Sequence, residues 1–89
     1  CGGEEFGCLL PSTDNIGASR LAEQMRAAIE VLGLEHAQSP THRHVTISLG
    51  VSTAIPEADE PAQALVDMAD AALYEAKGAG RNRLVARSR

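Results

Sequence analysis

Val45-Thr46-Ile47-Ser48-Leu49-Gly50-Val51 alternates strictly, with Val45, Ile47, Leu49 and Val51 on one face. A period of two, carried by β-branched and aliphatic side chains, predicts a strand over 45–51. Toward the C-terminus, Pro56 to Glu60 reads as an acidic turn, and Pro61 suits a first helical turn. Leu65, Met68, Ala69, Ala72, Leu73 and Ala76 then recur at helical spacing and mark an inner face. Gly78 is the expected stop, and Leu84-Val85 offers a short last strand. Toward the N-terminus, Leu34 to His44 holds Pro40, three histidines and no period, the pattern of a loop, with a small hairpin within it as the alternative. Before it, Ile16, Leu21, Ala22, Met25, Ala28, Ile29 and Leu32 form one apolar stripe on a helix. Asp14 is its expected N-cap, and Gly33 ends it. Glu5 to Leu10, closed by Pro11, reads as a buried strand with a turn before it at Gly2-Gly3. The order is strand, helix, strand, helix, strand, which predicts an α+β fold built as an α/β sandwich.

Eighty-nine residues make one small domain. At 44% hydrophobic and 22% charged residues, the chain is globular rather than disordered. Fifteen of the hydrophobic residues are alanine, and Phe6 and Tyr74 are the only aromatics, so the core of large side chains is thin. No apolar run approaches the roughly 20 residues of a spanning helix. Cys1 and Cys8 make no disulfide framework. No basic-then-apolar leader opens the chain, which argues against secretion but says nothing about a region before Cys1; the cytoplasm is the expected location. Residues 1–76 hold Arg20, Arg26 and Arg43 against all twelve acids, whereas residues 77–89 hold five cations and no acid. Duplex nucleic acid calls for a broad basic face and is not an expected partner. An acidic body with a basic end suits a small polyphosphate gripped by a few cations, and equally a basic segment that is simply solvated.

Two segments carry candidate chemistry. In Gly2-Gly3-Glu4-Glu5-Phe6 the glycines let the backbone turn sharply and approach a ligand, and a carboxylate on such a turn suits Mg²⁺. The same composition also fits a solvated hairpin tip. Lys77-Gly78-Ala79-Gly80-Arg81-Asn82-Arg83 is basic and glycine-rich at a helix end, and it is not a Walker loop, because no Gly-Lys-Ser/Thr is present. Arg81, past the helix end, could grip phosphate in a fork, while Lys77 also suits the helix dipole. Asn82 is expected to cap or brace this loop, Asp70 to orient a neighbouring backbone or cation, and Tyr74 to lie at the core edge. His36, His42 and His44 form no familiar metal set.

Gly2-Gly3-Glu4-Glu5-Phe6 resembles the signature of the GGDEF domain, the catalytic module of diguanylate cyclases, in its Glu-for-Asp variant. The resemblance continues through Leu9-Leu10-Pro11, Thr13-Asp14, Arg20-Leu21-Ala22-Glu23, Arg26 and Val45 to Val51. It ends with Ala69-Asp70, Ala72-Leu73-Tyr74, Ala76-Lys77 and Gly80-Arg81-Asn82-Arg83, and it spans essentially the whole chain. It implies the C-terminal part of a palm-like, ferredoxin-like nucleotide-cyclase domain covering residues 1–89. It also implies that two such domains, each with one GTP, form a homodimer that makes cyclic di-GMP and releases pyrophosphate. Carried over, Glu4 binds Mg²⁺ or Mn²⁺ and helps activate the attacking 3′-hydroxyl, and Glu5 is the second carboxylate of the motif. Gly2 and Gly3 let the hairpin approach the nucleotide, and Lys77 and Arg81 hold the triphosphate.

The chain begins at the signature, so the resemblance implies a preceding half of the domain with a first strand, another metal-binding acid and the guanine-selecting residues. The expectation is that these 89 residues alone do not turn over GTP. An upstream sensory or receiver domain is expected in the parent protein, with a membrane anchor there left open. The alternative reading is a GGDEF-type module that senses GTP or cyclic di-GMP without making it.

Overall fold

The computed structural model describes residues 14–33, 45–55 and 59–89. The first of its elements, α1 (Asn15–Leu32), starts and stops where side-chain and backbone chemistry dictate. Asp14 is extended and its carboxylate accepts from the Gly17 N–H at 2.8 Å, satisfying one of the free donors of the first turn. Gly33 closes the other end at φ 62, with its N–H donating to the Glu30 carbonyl at 3.1 Å. The buried face overlaps the expected stripe only in part, at Ala22 and the half-buried Ile29. Ala18 and Ala22 are buried, whereas Ile16, Leu21, Met25 and Leu32 are exposed. Small side chains let the helix lie close on the sheet, and most of the larger ones are exposed.

The sheet is formed by β1 (Leu49–Thr53) and β2 (Leu84–Ser88), parallel and in the register Leu49 to Leu84 through Thr53 to Ser88. A parallel pair needs a long crossover, and α2 (Ala62–Gly78) supplies it. The ladder extends by one bond at each end, Leu49 N–H to the Arg83 carbonyl at 2.9 Å and Arg89 N–H to the Thr53 carbonyl at 3.0 Å. The strand expected over 45–51 therefore lies later in the chain. Residues 79–83 are taken up by the end of α2 and a turn, so β2 cannot reach Val45 to Ser48. The last strand is correspondingly longer than the expected Leu84-Val85. Pro61 sits one position before the helix, as its N-cap, without a side-chain cap. The expected strand Glu5 to Leu10, the Gly2-Gly3 turn and the loop 34–44 lie outside the described residues.

Helix α2 packs through Ala72 and Ala76, both fully buried. It lies tightly against β1 at Gly50. A Cβ there would press into the backbone of Ala69 and Leu73, with the Leu73 Cα 2.9 Å away. Ser52 on β1 adds a bond from Oγ to the Leu65 carbonyl at 2.7 Å. Both helices pack on both strands and not on each other. A two-stranded sheet is about 5 Å between strand axes, too narrow to seat two helices of about 10 Å side by side, so the helices sandwich it. The direction of α1 follows from its ends. The Asn15 amide donates to Thr53 Oγ1 at 2.9 Å and the Arg87 carbonyl at 3.2 Å, at the C-terminal ends of the strands. Arg26 reaches the turn that leads into the N-terminal end of β2, so α1 runs antiparallel to both strands. This is a small α+β unit, as the element order predicts.

Candidate functional site

Lys77 lies in the last turn of α2, and the chain then closes on a glycine cap. The helix ends at Gly78, as expected, with Ala79 as its C-cap, and the left-handed residue that seals the end is Gly80. Gly80 has φ 124, its N–H donates to the Lys77 carbonyl at 3.4 Å, and the Arg81 N–H donates to the Ala76 carbonyl at 3.0 Å. These two bonds are the Schellman pattern, which absorbs carbonyls the helix leaves free. Arg81 and Asn82 continue in the left-handed region at φ 65 and φ 48. Asparagine tolerates that region, but arginine enters it at a cost of about 1–2 kcal/mol. Something must hold this turn.

Two hydrogen-bonded links do so. The Arg83 Nε donates to the Arg81 carbonyl at 3.0 Å, across the turn itself. The side chain of Asn82 is clamped by α1. Its Oδ1 accepts from Arg26 Nη1 at 2.8 Å, and its Nδ2 donates to Glu30 Oε2 at 2.5 Å. Arg26 is in turn fixed by a fork on Glu23, at 2.8 and 2.7 Å, and by Glu30 at 3.1 Å, with only 16% of its side chain exposed. The bond from Arg26 holds the Glu23 carboxyl below its ordinary pKa. Glu30 is lowered first by the bond from Asn82 and then by Arg26. The same partners, Glu23 before Glu30, raise the guanidinium of Arg26 further above its ordinary value.

The cations sort into two groups. Arg26 is committed to Glu23 and Glu30, Arg87 to Glu75 at 2.8 Å, and Arg89 to Glu60. Arg81 and Arg83 have no acidic partner among the described residues. Within the basic C-terminal segment, Arg87 and Arg89 are thus neutralised internally, while Arg81 and Arg83 bring their charge to the turn after α2.

Of the residues singled out in the sequence, Lys77 and Arg81 share this cap, and Asn82 braces it as expected. Gly2, Gly3, Glu4 and Glu5 lie outside the described residues, as do the three histidines. Tyr74 does not edge the core: it is 80% exposed, because about 200° of helical rotation separates it from both Ala72 and Ala76. Asp70 is exposed and bonds to no described group. The sequence reading missed Glu30 altogether and gave Arg26 no part in this loop. Their partner is more than fifty positions away, and no local pattern reports such a contact. No group of three His, Cys, Asp or Glu suited to a metal occurs among the described residues, and no described helix is long and apolar enough to cross a membrane.

Fold and loop together define an α/β unit whose sheet delivers a braced cationic turn to the surface. The chain belongs to the family described as diguanylate cyclase, GGDEF domain, which matches residues 1–83. It is 39% identical over 87 residues to the response regulator PleD of Caulobacter vibrioides, covering 98% of this chain and 19% of that protein. It is 42% identical over 86 residues to the probable diguanylate cyclase DgcT of Escherichia coli, covering 97% and 19%. With the diguanylate cyclase DgcP of Pseudomonas aeruginosa it shares 41% over 83 residues, 93% of this chain and 12% of that protein. The chain thus spans a fifth or less of the length of these relatives.

Proposed function

We propose that this chain is the C-terminal part of a diguanylate cyclase domain, which joins two molecules of GTP into cyclic di-GMP and releases two pyrophosphates. In each half-reaction the 3′-hydroxyl of one GTP attacks the α-phosphorus of the other. The new P–O ester forms as the bond to the β-phosphate oxygen breaks, and the hydroxyl proton is given up. Lys77 and Arg81 hold the triphosphate and offset the negative charge that grows on the leaving pyrophosphate. Glu4 is the ligand for Mg²⁺ or Mn²⁺, for which a carboxylate is a fitting hard donor, and the bound ion would lower the pKa of the attacking hydroxyl. Glu5 stands beside it as the second carboxylate, and Gly2 and Gly3 let the backbone meet the nucleotide.

The observation that carries this reading is the family match over residues 1–83, which takes in both the signature at Gly2 to Phe6 and the cap at Lys77 and Arg81. The absence of an acidic partner for Arg81 among the described residues supports it. The reaction needs a second domain with its own GTP, so the working form is a homodimer, without nucleic acid. A regulatory domain upstream and a cytoplasmic site of action complete the reading; one relative is named a response regulator.

The test is cyclic di-GMP formation by the full-length protein with GTP and Mg²⁺. Wild type is expected to form product, and Glu4→Ala to lose it by about 10²-fold or more. GTP or cyclic di-GMP bound tightly by the wild type with no product formed would favour the sensing module instead.

A further inference from the structure

We propose that Arg26 and Glu30 of α1 are positioning residues that act through Asn82 to hold Arg81 where it meets the triphosphate. The proposal rests on the reading of Lys77 and Arg81 as the phosphate grip. Arg81 and Asn82 sit in consecutive left-handed conformations, which this turn does not adopt without support. The Schellman bonds fix the turn on the side of α2, and the parallel ladder fixes it on the side of β2. The third tie is the Asn82 amide. It is satisfied at both ends by α1, accepting at 2.8 Å from Arg26 and donating at 2.5 Å to Glu30.

Arg26 serves as the anchor and not as a phosphate ligand. Its fork is taken by Glu23 and its Nη1 is shared between Glu30 and Asn82. A polyphosphate approaching it would meet two carboxylates first. Arg81 is exposed and carries no such commitment among the described residues. Helix α1 therefore contributes order, and the turn contributes charge. A guanidinium held in place loses less freedom when it closes on a phosphate, so loosening the clamp weakens binding without removing any cation.

The full-length protein tests this through the Kd for GTP with Mg²⁺, a readout that does not require turnover. The variants are Arg26→Gln, Asn82→Gly and Arg81→Ala, together with the doubles Arg26→Gln/Arg81→Ala and Asn82→Gly/Arg81→Ala. Asn82→Gly removes the clamp but keeps a residue at ease with positive φ, so it carries the test if Arg26→Gln fails to fold. Each clamp variant is expected to raise Kd about two- to tenfold, the worth of one or two lost hydrogen bonds. In the Arg81→Ala background the same changes are expected to raise it no further, because the group they position is gone. Clamp variants that leave Kd unchanged while Arg81→Ala raises it would overturn the proposal and leave the phosphate reading intact. So would effects that add in full to Arg81→Ala, since a general structural role predicts addition. An Arg81→Ala variant with wild-type Kd would instead remove the phosphate reading, and this inference with it.

Discussion

Gly50 and Gly80 are both required, for different reasons. At Gly50 the obstacle is space: the nearest atoms to an added methyl belong to the backbone of Ala69 and Leu73, which cannot swing aside. Gly50→Ala is expected to destabilise by about 1–3 kcal/mol, read as a lower urea midpoint with an unchanged slope. At Gly80 the obstacle is conformation. Its φ of 124 lies in a region closed to residues with a Cβ, and the nearest atom to an added methyl is only the movable end of Arg83. Gly80→Ala is expected to cost about 1–2 kcal/mol and also to raise the Kd for GTP, because it unsettles the cap that carries Arg81. Gly50→Ala, on the strand, is expected to affect stability without that change in Kd. Gly78, the expected stop, is the last residue of α2, but the glycine that takes the positive φ is Gly80. A glycine signals permission for positive φ, and only the hydrogen bonds say which of two nearby glycines uses it.

Among the elements, α1 is the most informative. Its ends were legible from single residues, because Asp14 and Gly33 act on backbone groups within a turn of themselves. Its buried face was legible only in part. The apolar stripe takes in Ala22, which is buried, together with Leu21, Met25 and Leu32, which are exposed, and passes over Ala18, because close packing on a sheet selects small side chains. The strand β1 was found but displaced, since alternation marks extended chain while register depends on where the partner begins. The tie from α1 to Asn82 was invisible for the same reason of distance in sequence. That tie has a pH signature. Glu23 and Glu30 have carboxyls held below the ordinary 4.5 by Arg26 and Asn82, so their stabilising effect is complete above that value. It declines as pH falls below 4.5 and is gone once both are protonated in the folded state. Arg26→Gln is thus expected to lower stability at pH 7, with the gap to wild type closing in acid. Urea melts across pH 7 to 3 would show this, and a gap that widens in acid would contradict it.

For the molecule as a whole, the buried side chains among the described residues are Ala18, Ala22, Ala72 and Ala76, and no larger one is fully buried. Each methyl contributes little by burial, about 1 kcal/mol or less. The layers are held instead by close approach and by polar ties such as Asn15 to both strands and Ser52 to Leu65. Sensitivity to mutation should therefore be inverted. Ala76→Leu is expected to destabilise by about 1–3 kcal/mol, whereas Leu21→Ala and Met25→Ala should stay within about 0.5 kcal/mol of wild type. Denaturant melts of the three variants decide the matter, and equal losses in all three would refute it. The crossing of β1 and α2 carries one more consequence. Because the helix meets Gly50 with main-chain atoms, no trimming of a helix residue can make room for a bulkier strand residue. Compensating pairs, the usual way for two touching positions to drift together, are closed off at this crossing, and relief of the clash itself requires a shift of the entire helix.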